Sequence, residues 1–370
     1  MQEPIRVLQL FTILNRGGAE TNVMNYYRKL DRTKFQFDFA VHRQEKGAYD
    51  DEVISLGGKI FRFSALGLNT IKTYQSEIAQ FFNTNNYLII HGQCSELGYF
   101  FYKEAHKRGV PVIIAHGHNA NPKWDIKSPF RWWLKKSMLP YINTYFTCGD
   151  EASIWLFGKK NASKAFTMTN AIASESFAYN QEKALEIRKK LNAEHTKNFI
   201  HIGRFNVQKN HEFLITIFKE LLQLDTNQRL FLVGEGELKS TVQEQVASMG
   251  IEQQVVFLGS RDDVNQLLQG MDVFLFPSLF EGLPVSLVEA QASGIHSVIS
   301  DGIPKEAILI PEQVTVISLK ESATAWANKI HDLKQLQKID VSSLIVAKGY
   351  DIANNVVTLE AKYTALLQKT

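Results

Sequence analysis

The sequence predicts an α/β protein made of two doubly wound, parallel-sheet domains. Three observations carry this. The chain has 370 residues, 45% hydrophobic and 21% charged, which is more than one typical core accommodates. Short apolar runs alternate with amphipathic stretches, as in βαβ units. The alternation fades once, in the small polar stretch NAIASESFAYNQE from Asn170 to Glu182, and then restarts. The reading is therefore a first domain over residues 1–175, a linker, and a second domain over 182–350.

In the first half, strands are expected at Ile5–Phe11, Phe35–Val41, Lys59–Phe63, Tyr87–His91 and Val112–His116. Helices are expected between them, at Ala19–Leu30, Tyr49–Leu56, Thr70–Phe82 and Leu97–Lys107. In the second half the strands are Phe199–Gly203, Leu230–Val233, Val255–Leu258, Val273–Phe276 and a stretch marked by Val298 and Ile299. Helices lie at His211–Leu224, Leu238–Ser248, Val264–Leu268 and from about Pro284 to Ala292. The last segment places Ile352, Val356, Leu359, Tyr363 and Leu366 on one apolar stripe, free to pack on either domain. Ligands of open α/β sheets bind beyond the carboxyl ends of the strands, so chemistry is sought there, in a cleft between two facing domains.

Bulk properties exclude several classes. A net charge of +3 is far from the footprint of a dedicated nucleic-acid binder. The two cysteines, Cys94 and Cys148, lie far apart and form no metal or disulfide pattern, which fits a reducing compartment. The start MQEPIRVLQLF lacks the basic opening and small-residue cleavage site of a signal peptide, and no run of about 18 apolar residues is found. A cytoplasmic protein is expected, either soluble or held at the inner face of the cytoplasmic membrane.

The sharpest motif is FPSLFEGLPVSLVEAQASG, Phe276 to Gly294. A buried strand ends at Phe276, a loop carries Glu281 and Gly282, and a helix starts near Pro284, whose missing N–H suits a first turn. The free N–H groups of that turn favour an anionic ligand. Glu281 alone could cap the helix and Glu289 alone could be a solvated residue; as a pair in this place they point to ligand contact. Gly203-Arg204-Phe205-Asn206-Val207-Gln208-Lys209-Asn210 also links a strand to a helix. Its Arg204 offers a planar fork and its Lys209 a point charge, a combination suited to a diphosphate. Asn15-Arg16-Gly17-Gly18-Ala19-Glu20 is a third such turn, but it is not the GxGxxG dinucleotide fingerprint. The fourth is His116-Gly117-His118-Asn119; two histidines at i, i+2 can hold a metal, yet no third ligand stands near them in sequence. Gly234-Glu235-Gly236, Gly259-Ser260-Arg261-Asp262 and Ser300-Asp301-Gly302 follow other strands at the same sheet edge. Finally, KSPFRWWLKKSML, residues 127–139, mixes Phe130, Trp132, Trp133 and Leu134 with four cations. It reads either as a helix packing its tryptophans inward or as one lying on an anionic membrane surface.

Together these motifs resemble the retaining glycosyltransferases of family 4, which have the GT-B fold, and within them the branch that builds bacterial exopolysaccharide and capsule. The carboxylate pair eight positions apart, preceded by FPS, and the G-R-x4-K loop carry most of the likeness; the GGAE and HGH pieces are weaker. The resemblance implies two Rossmann-like domains, an N-terminal acceptor-binding one and a C-terminal nucleotide-sugar-binding one, with residues 352–370 crossing back to the first. It implies that Arg204 and Lys209 grip the donor diphosphate and that Glu289 binds the ribose. Glu281, with the backbone of Gly282, Leu283, Pro284 and Val285, would bind the transferred sugar. Gly17 and Gly18 would close over the phosphates, the Arg261 backbone would touch the base, and His116 would face the reacting sugar. The donor would be a nucleoside-diphosphate sugar, commonly UDP-linked in such relatives, with no metal or other cofactor required. The acceptor would be a lipid-linked or other saccharide, and nucleic acid is not expected as a partner. Two departures stand out: Pro284 replaces a frequent glycine, and Asn170-Ala171-Ile172 stands where Asn-Gly-Ile is common. A sugar-nucleotide epimerase on the same fold and a non-catalytic sugar-nucleotide-binding protein remain alternatives at this stage.

Overall fold

The computed structural model describes residues 3–67, 69–118, 128–333 and 337–369. The chain divides into two compact units: Met1–Ala171 together with Ile352–Thr370, and Ile172–Asp351. The division falls four residues before the end of the first domain as read from composition. The polar stretch between the units is not featureless, since Ser174–Phe177 forms a helical turn and Gln181–Lys190 a helix capped by the Asn180 side chain. Ile172 bridges to Asp351, whose carboxylate accepts from Ser174 Oγ at 2.6 Å.

The first unit contains the strands β1 (Ile5–Phe11), β2 (Phe35–Val41), β3 (Ile60–Arg62), β4 (Ile89–Gly92), β5 (Val112–Gly117), β6 (Thr144–Thr147) and β7 (Phe166–Thr167). They form one sheet in the order β3-β2-β1-β4-β5-β6-β7, and its pairings are parallel. Every residue of β2 is buried, as expected of a parallel strand covered on both faces. One face carries Leu8, Leu10, Ile90, Ile113 and Ala115 against Tyr74, Ile78, Phe101, Leu134 and Met138. On the other face the helix Ile352–Leu367 docks through Ile352, Val356, Leu359 and Tyr363. The Tyr363 ring meets Phe35, Phe37 and Phe146 at centroid distances of 5.6, 6.4 and 6.5 Å. Burial of these four side chains is worth roughly 6–10 kcal/mol as an upper figure, so this helix is an integral layer of the first unit.

The second unit contains β8 (Lys197–Ile202), β9 (Gln228–Val233), β10 (Val255–Gly259), β11 (Val273–Phe276), β12 (His296–Ser300) and β13 (Val314–Ile317). Its sheet order is β10-β9-β8-β11-β12-β13, again with parallel pairings. Phe199, Leu230, Leu232 and Leu275 pack under the helix His211–Leu224 and Trp326, while Ile200, Phe231, Phe274 and Phe276 pack under Val285–Ala292. In both sheets the strand order reverses beside the first strand of the unit, between β1 and β4 and between β8 and β11. Those two reversals are where a doubly wound sheet opens a crevice.

Sequence periodicity missed β6, β7 and β13. β7 has two residues, and β13, although its sequence is Val-Thr-Val-Ile, is a four-residue edge strand with only Ile317 buried. The helices Asp150–Phe157 and Ala323–His331 were missed with them.

Candidate active site

At the switch point of the second sheet, β8 runs into the segment 203–210 and β11 into the segment 277–284. The two segments are sewn together. Leu279 N donates to Gln208 O at 2.8 Å, Gln208 Nε2 to Phe280 O at 3.1 Å, and Asn210 Nδ2 to Pro277 O at 3.0 Å. Glu281 closes the seam: its Oε1 takes the Lys209 ammonium at 2.7 Å and its Oε2 takes Gln208 Nε2 at 3.0 Å. This pair is largely withdrawn from solvent, with side-chain exposures of 14% for Lys209 and 6% for Glu281. The ammonium also lies 4.5 Å from the centre of the Phe276 ring. Local chemistry fixes the loop that presents it. Asn206 accepts from Lys209 N at 3.1 Å, and Asn210 adopts φ 58°, a left-handed conformation that asparagine tolerates, before the helix His211–Leu224 begins. The structure thus brings together Lys209 and Glu281, predicted from separate motifs, and adds Gln208 between them.

The neighbouring strand ends are fused to this seam. Gly203 N donates to Val233 O, Phe205 N to Glu235 O and Gly234 N to Gly259 O, at 2.9, 3.0 and 2.9 Å. The approach is close enough to require glycine: a Cβ on Gly236 would fall 2.4 Å from Phe205 O, and Gly234 has φ 144°. Arg204 is set apart from Lys209, with its guanidinium exposed and 3.3 Å from the exposed Glu237 carboxylate. Arg261 pairs within its own loop with Asp263, at 2.8 and 2.6 Å. Pro284 is the residue before the helix, not its first turn: the helix is Val285–Ala292, and Leu287 N and Val288 N donate to Pro284 O at 3.1 and 3.3 Å. Gly282 and Leu283 are half-buried and Val285 is buried; Glu289 is half-buried on the helix while Leu287, Val288 and Ala290 face the core. Behind the loop, His201 and His211 are held neutral: burial depresses His201 well below the usual range and His211 to about 3.

In the first unit, Gly17 is the residue before the helix Gly18–Lys29, with φ −98° and ψ 170°. Neither Gly17 nor Gly18 is in the left-handed region. Gly17 instead leaves room for the Glu20 carboxylate, which a Cβ would meet at 2.4 Å, while Gly18 faces open space. His116, near the end of β5, is fully buried and stacks on His118 at 4.0 Å. Its Nδ1 lies 3.1 Å from Nε2 of His91, whose Nδ1 lies 2.7 Å from the Tyr363 hydroxyl. His118 Nε2 contacts Gln93 Oε1 at 2.6 Å, and Gln93 Nε2 donates to Gln9 Oε1 at 2.8 Å. Burial depresses all three histidines, His118 to about 4 and His91 and His116 well below the usual range. The two histidines weighed as a metal pair therefore stack on each other, and among the described residues no three His, Cys, Asp or Glu groups converge to hold a metal. Asn119 of that motif and Lys127 lie outside the described residues.

The aromatic–basic segment forms the helix Ser128–Met138, which buries Leu134 and Met138 and leaves Phe130, Trp132 and Trp133 exposed by 41%, 54% and 46%. Its cations divide: Arg131 is bound to buried Glu96 at 2.8 Å, Lys135 donates to Trp155 O at 3.0 Å, and Lys136 stays exposed above the Trp132 ring. The outward face is more aromatic than basic. Among the described residues no helix is long and apolar enough to cross a membrane.

Sequence reasoning passed over Gln208, His91 and Tyr363. Gln208 was legible as the residue before Lys209 in the cationic loop. His91 carries the same signal as His116, a histidine at the end of a predicted strand. Tyr363 was read only as part of an apolar stripe, because spacing does not reveal where a hydroxyl points.

Comparison with known proteins gives the chemistry a family. The profile of the family described as Glycosyl transferases group 1 matches residues 183–342, which hold the sewn loops and the carboxylate pair. EpsF of Bacillus subtilis (strain 168), named as a glycosyltransferase, is 33% identical over 98% of this chain and 97% of its own length. The Escherichia coli UDP-Gal:alpha-D-GlcNAc-diphosphoundecaprenol alpha-1,3-galactosyltransferase is 24% identical over 63% of each chain. Among solved structures, Anabaena HepE in complex with UDP and glucose superposes with a TM-score of 0.80, covering 97% of this chain and 99% of its own at 15% identity. With two parallel-sheet Rossmann-like units of the GT-B type and a relative 33% identical over 98% of the chain, the chain belongs to the group 1 glycosyl transferases.

Proposed function

We propose that this chain is a retaining, family 4 glycosyltransferase that moves a hexose or N-acetylhexosamine from a UDP-linked donor to a lipid-linked saccharide during cell-surface polysaccharide synthesis. The observation that carries the reading is the Lys209–Glu281–Gln208 cluster at the β8/β11 switch point, a cation and a carboxylate held together where a doubly wound sheet binds its ligand. Support for the donor comes from HepE, whose structure holds UDP and glucose, and support for both donor and acceptor from the E. coli enzyme, which uses UDP-Gal and a diphosphoundecaprenol-linked saccharide.

In this reading Arg204 and Lys209 hold the diphosphate and take up the charge that grows on it as the anomeric carbon–oxygen bond breaks. The reading assigns that task to the two cations and the first N–H groups of Val285–Ala292, without a metal. Glu281 and the backbone from Gly282 to Val285 hold the sugar, Glu289 the ribose, and the Arg261 backbone the base. From the first unit, Gly17 and Gly18 are assigned to the phosphates and His116 to the reacting sugar. The bond breaks with oxocarbenium character, as in glycoside hydrolysis; the acceptor oxygen bonds to the same face, and its proton leaves on the departing diphosphate. The helix Ser128–Met138 is assigned to the inner face of the cytoplasmic membrane, its exposed Phe130, Trp132 and Trp133 set at the lipid interface.

The test is turnover of UDP-, GDP- and ADP-sugars, first without acceptor and then with a polyprenyl-diphosphate saccharide, followed by NMR of the product linkage. UDP-sugar consumption with retained configuration supports the reading. An inverted product overturns the retaining mechanism. Epimerised donor without transfer overturns the transferase assignment for this chain.

A further inference from the structure

The first unit holds a polar chain that the donor site does not explain. Gln9, His91 and His116 lie on the β1, β4 and β5 segments of one sheet, with Gln9 directly opposite His91 in register. They share the sheet face that the helix Ile352–Leu367 covers, and Tyr363 of that helix reaches His91. Tyr363, His91 and His116 each have 0% exposure, so these three groups are hydrogen-bonded to one another away from bulk water. Among the described residues, His116 Nε2 is buried and has no hydrogen-bond partner.

We propose that Tyr363 and His91 are positioning residues that fix His116 as its Nε2–H tautomer, so that it serves as a hydrogen-bond donor and not as a base. The contacts alone fit two opposite orders of protons, and the buried phenol selects one: its O–H needs an acceptor, and His91 Nδ1 is the partner the structure gives it. The phenol donates its O–H to His91 Nδ1 across 2.7 Å. A neutral imidazole carries one N–H, so the His91 proton sits on Nε2 and is donated to His116 Nδ1 across 3.1 Å. The remaining position for the His116 proton is Nε2, the nitrogen without a partner. Burial keeps the phenol protonated and both imidazoles neutral, which is the charge state this order requires. The stack of His118 on His116 and the edge of Phe146 hold the ring plane. The consequence for chemistry rests on the transferase reading above: a fixed N–H can bind an oxygen of the transferred sugar or its leaving group, but it cannot take the acceptor's proton.

The tautomer is read directly by long-range 1H–15N correlation on protein labelled at histidine. The expected result is a bare, acceptor-type Nδ1 and a protonated Nε2 for both His91 and His116. A His116 proton on Nδ1 overturns the proposal, whether or not the protein transfers sugar. In Tyr363→Phe, which keeps the ring and its packing, the His91 and His116 signals should move toward a tautomer mixture. Transfer by that variant should lose about tenfold in kcat, with KM for the UDP-sugar within about twofold. His91→Gln, whose amide can donate to His116 Nδ1, should retain most of kcat, whereas His91→Leu should not. Unchanged tautomers in Tyr363→Phe, or equal activity of the Gln and Leu variants, overturn the relay. Absence of turnover in the wild-type protein would overturn the transferase reading and leave the tautomer result standing by itself.

Discussion

Replacing Glu281 by glutamine tests the centre of the site most directly. The substitution keeps the volume and one acceptor oxygen but removes the charge that faces Lys209 at 2.7 Å. Taking one partner from a fully buried ion pair costs about 3–5 kcal/mol. Lys209 retains 14% of its side-chain exposure and the amide still accepts a hydrogen bond, so about 2 kcal/mol is the expected loss. For a unit of about 180 residues this lowers Tm by roughly 4–8 °C. UDP should return part of that loss, because a diphosphate gives the orphaned ammonium a new anion; the variant should therefore gain more Tm from UDP than the wild type does. Differential scanning calorimetry with and without UDP measures both shifts. Transfer should fall on the order of a hundredfold or more. In the double variant with Lys209→Met, the stability losses should fall short of additivity by about 1–2 kcal/mol. A Glu281→Gln protein that melts with the wild type, gains nothing extra from UDP and transfers normally would refute the reasoning.

Four further outcomes are expected. Arg204→Ala should leave thermal stability within about 0.5 kcal/mol, since its pair with Glu237 is exposed, yet lower transfer on the order of a hundredfold; wild-type turnover would remove Arg204 from the diphosphate site. Gly236→Ala should cost about 1–3 kcal/mol, because its Cβ would lie 2.4 Å from Phe205 O; an unchanged denaturation midpoint would contradict the fused loops. Stability should fall as pH drops below about 6.5, by about 1.4 kcal/mol per pH unit for each histidine held neutral, because the unfolded chain then binds protons that the folded one refuses. His42, buried in the first unit between Tyr74 and Phe101, and His118 hold off protonation to about 4, so for them the loss continues down to that pH; urea midpoints measured from pH 7 to 4 that stay flat would refute this. Trp132→Ser with Trp133→Ser should reduce co-sedimentation with anionic phosphatidylglycerol vesicles and leave donor hydrolysis intact; equal sedimentation would remove the helix Ser128–Met138 from the membrane.

The fold was legible where burial is continuous. Ile5–Phe11 and Phe35–Val41 are mostly apolar segments of seven residues, and the structure ends them at the same positions. The edge strands β7 and β13, which bury few of their residues, were not legible, whereas the other two edge strands, β3 and β10, were. For the site, position after a strand was enough to select Lys209 and Glu281, which touch. It did not show that Arg204 stands apart from them, since side-chain direction in a loop depends on neighbours such as Glu235 and Gly236. Nor did it find His91 and Tyr363, which belong to one cluster only because β4, β5 and the last helix converge from three distant stretches of chain.

That convergence bears on how the protein is made. Residues 1–171 leave the ribosome first, but the layer that completes their unit, Ile352–Leu367, follows only after the 180 or so residues of the second unit. At roughly 5–20 residues per second, the second unit has some 10–40 s to fold while Phe35, Phe37 and Phe146 still await Tyr363. The half that is begun first is therefore finished last, and a nascent chain stalled anywhere in the second unit presents an uncovered aromatic face that a chaperone must hold or that its neighbours on a polysome will find.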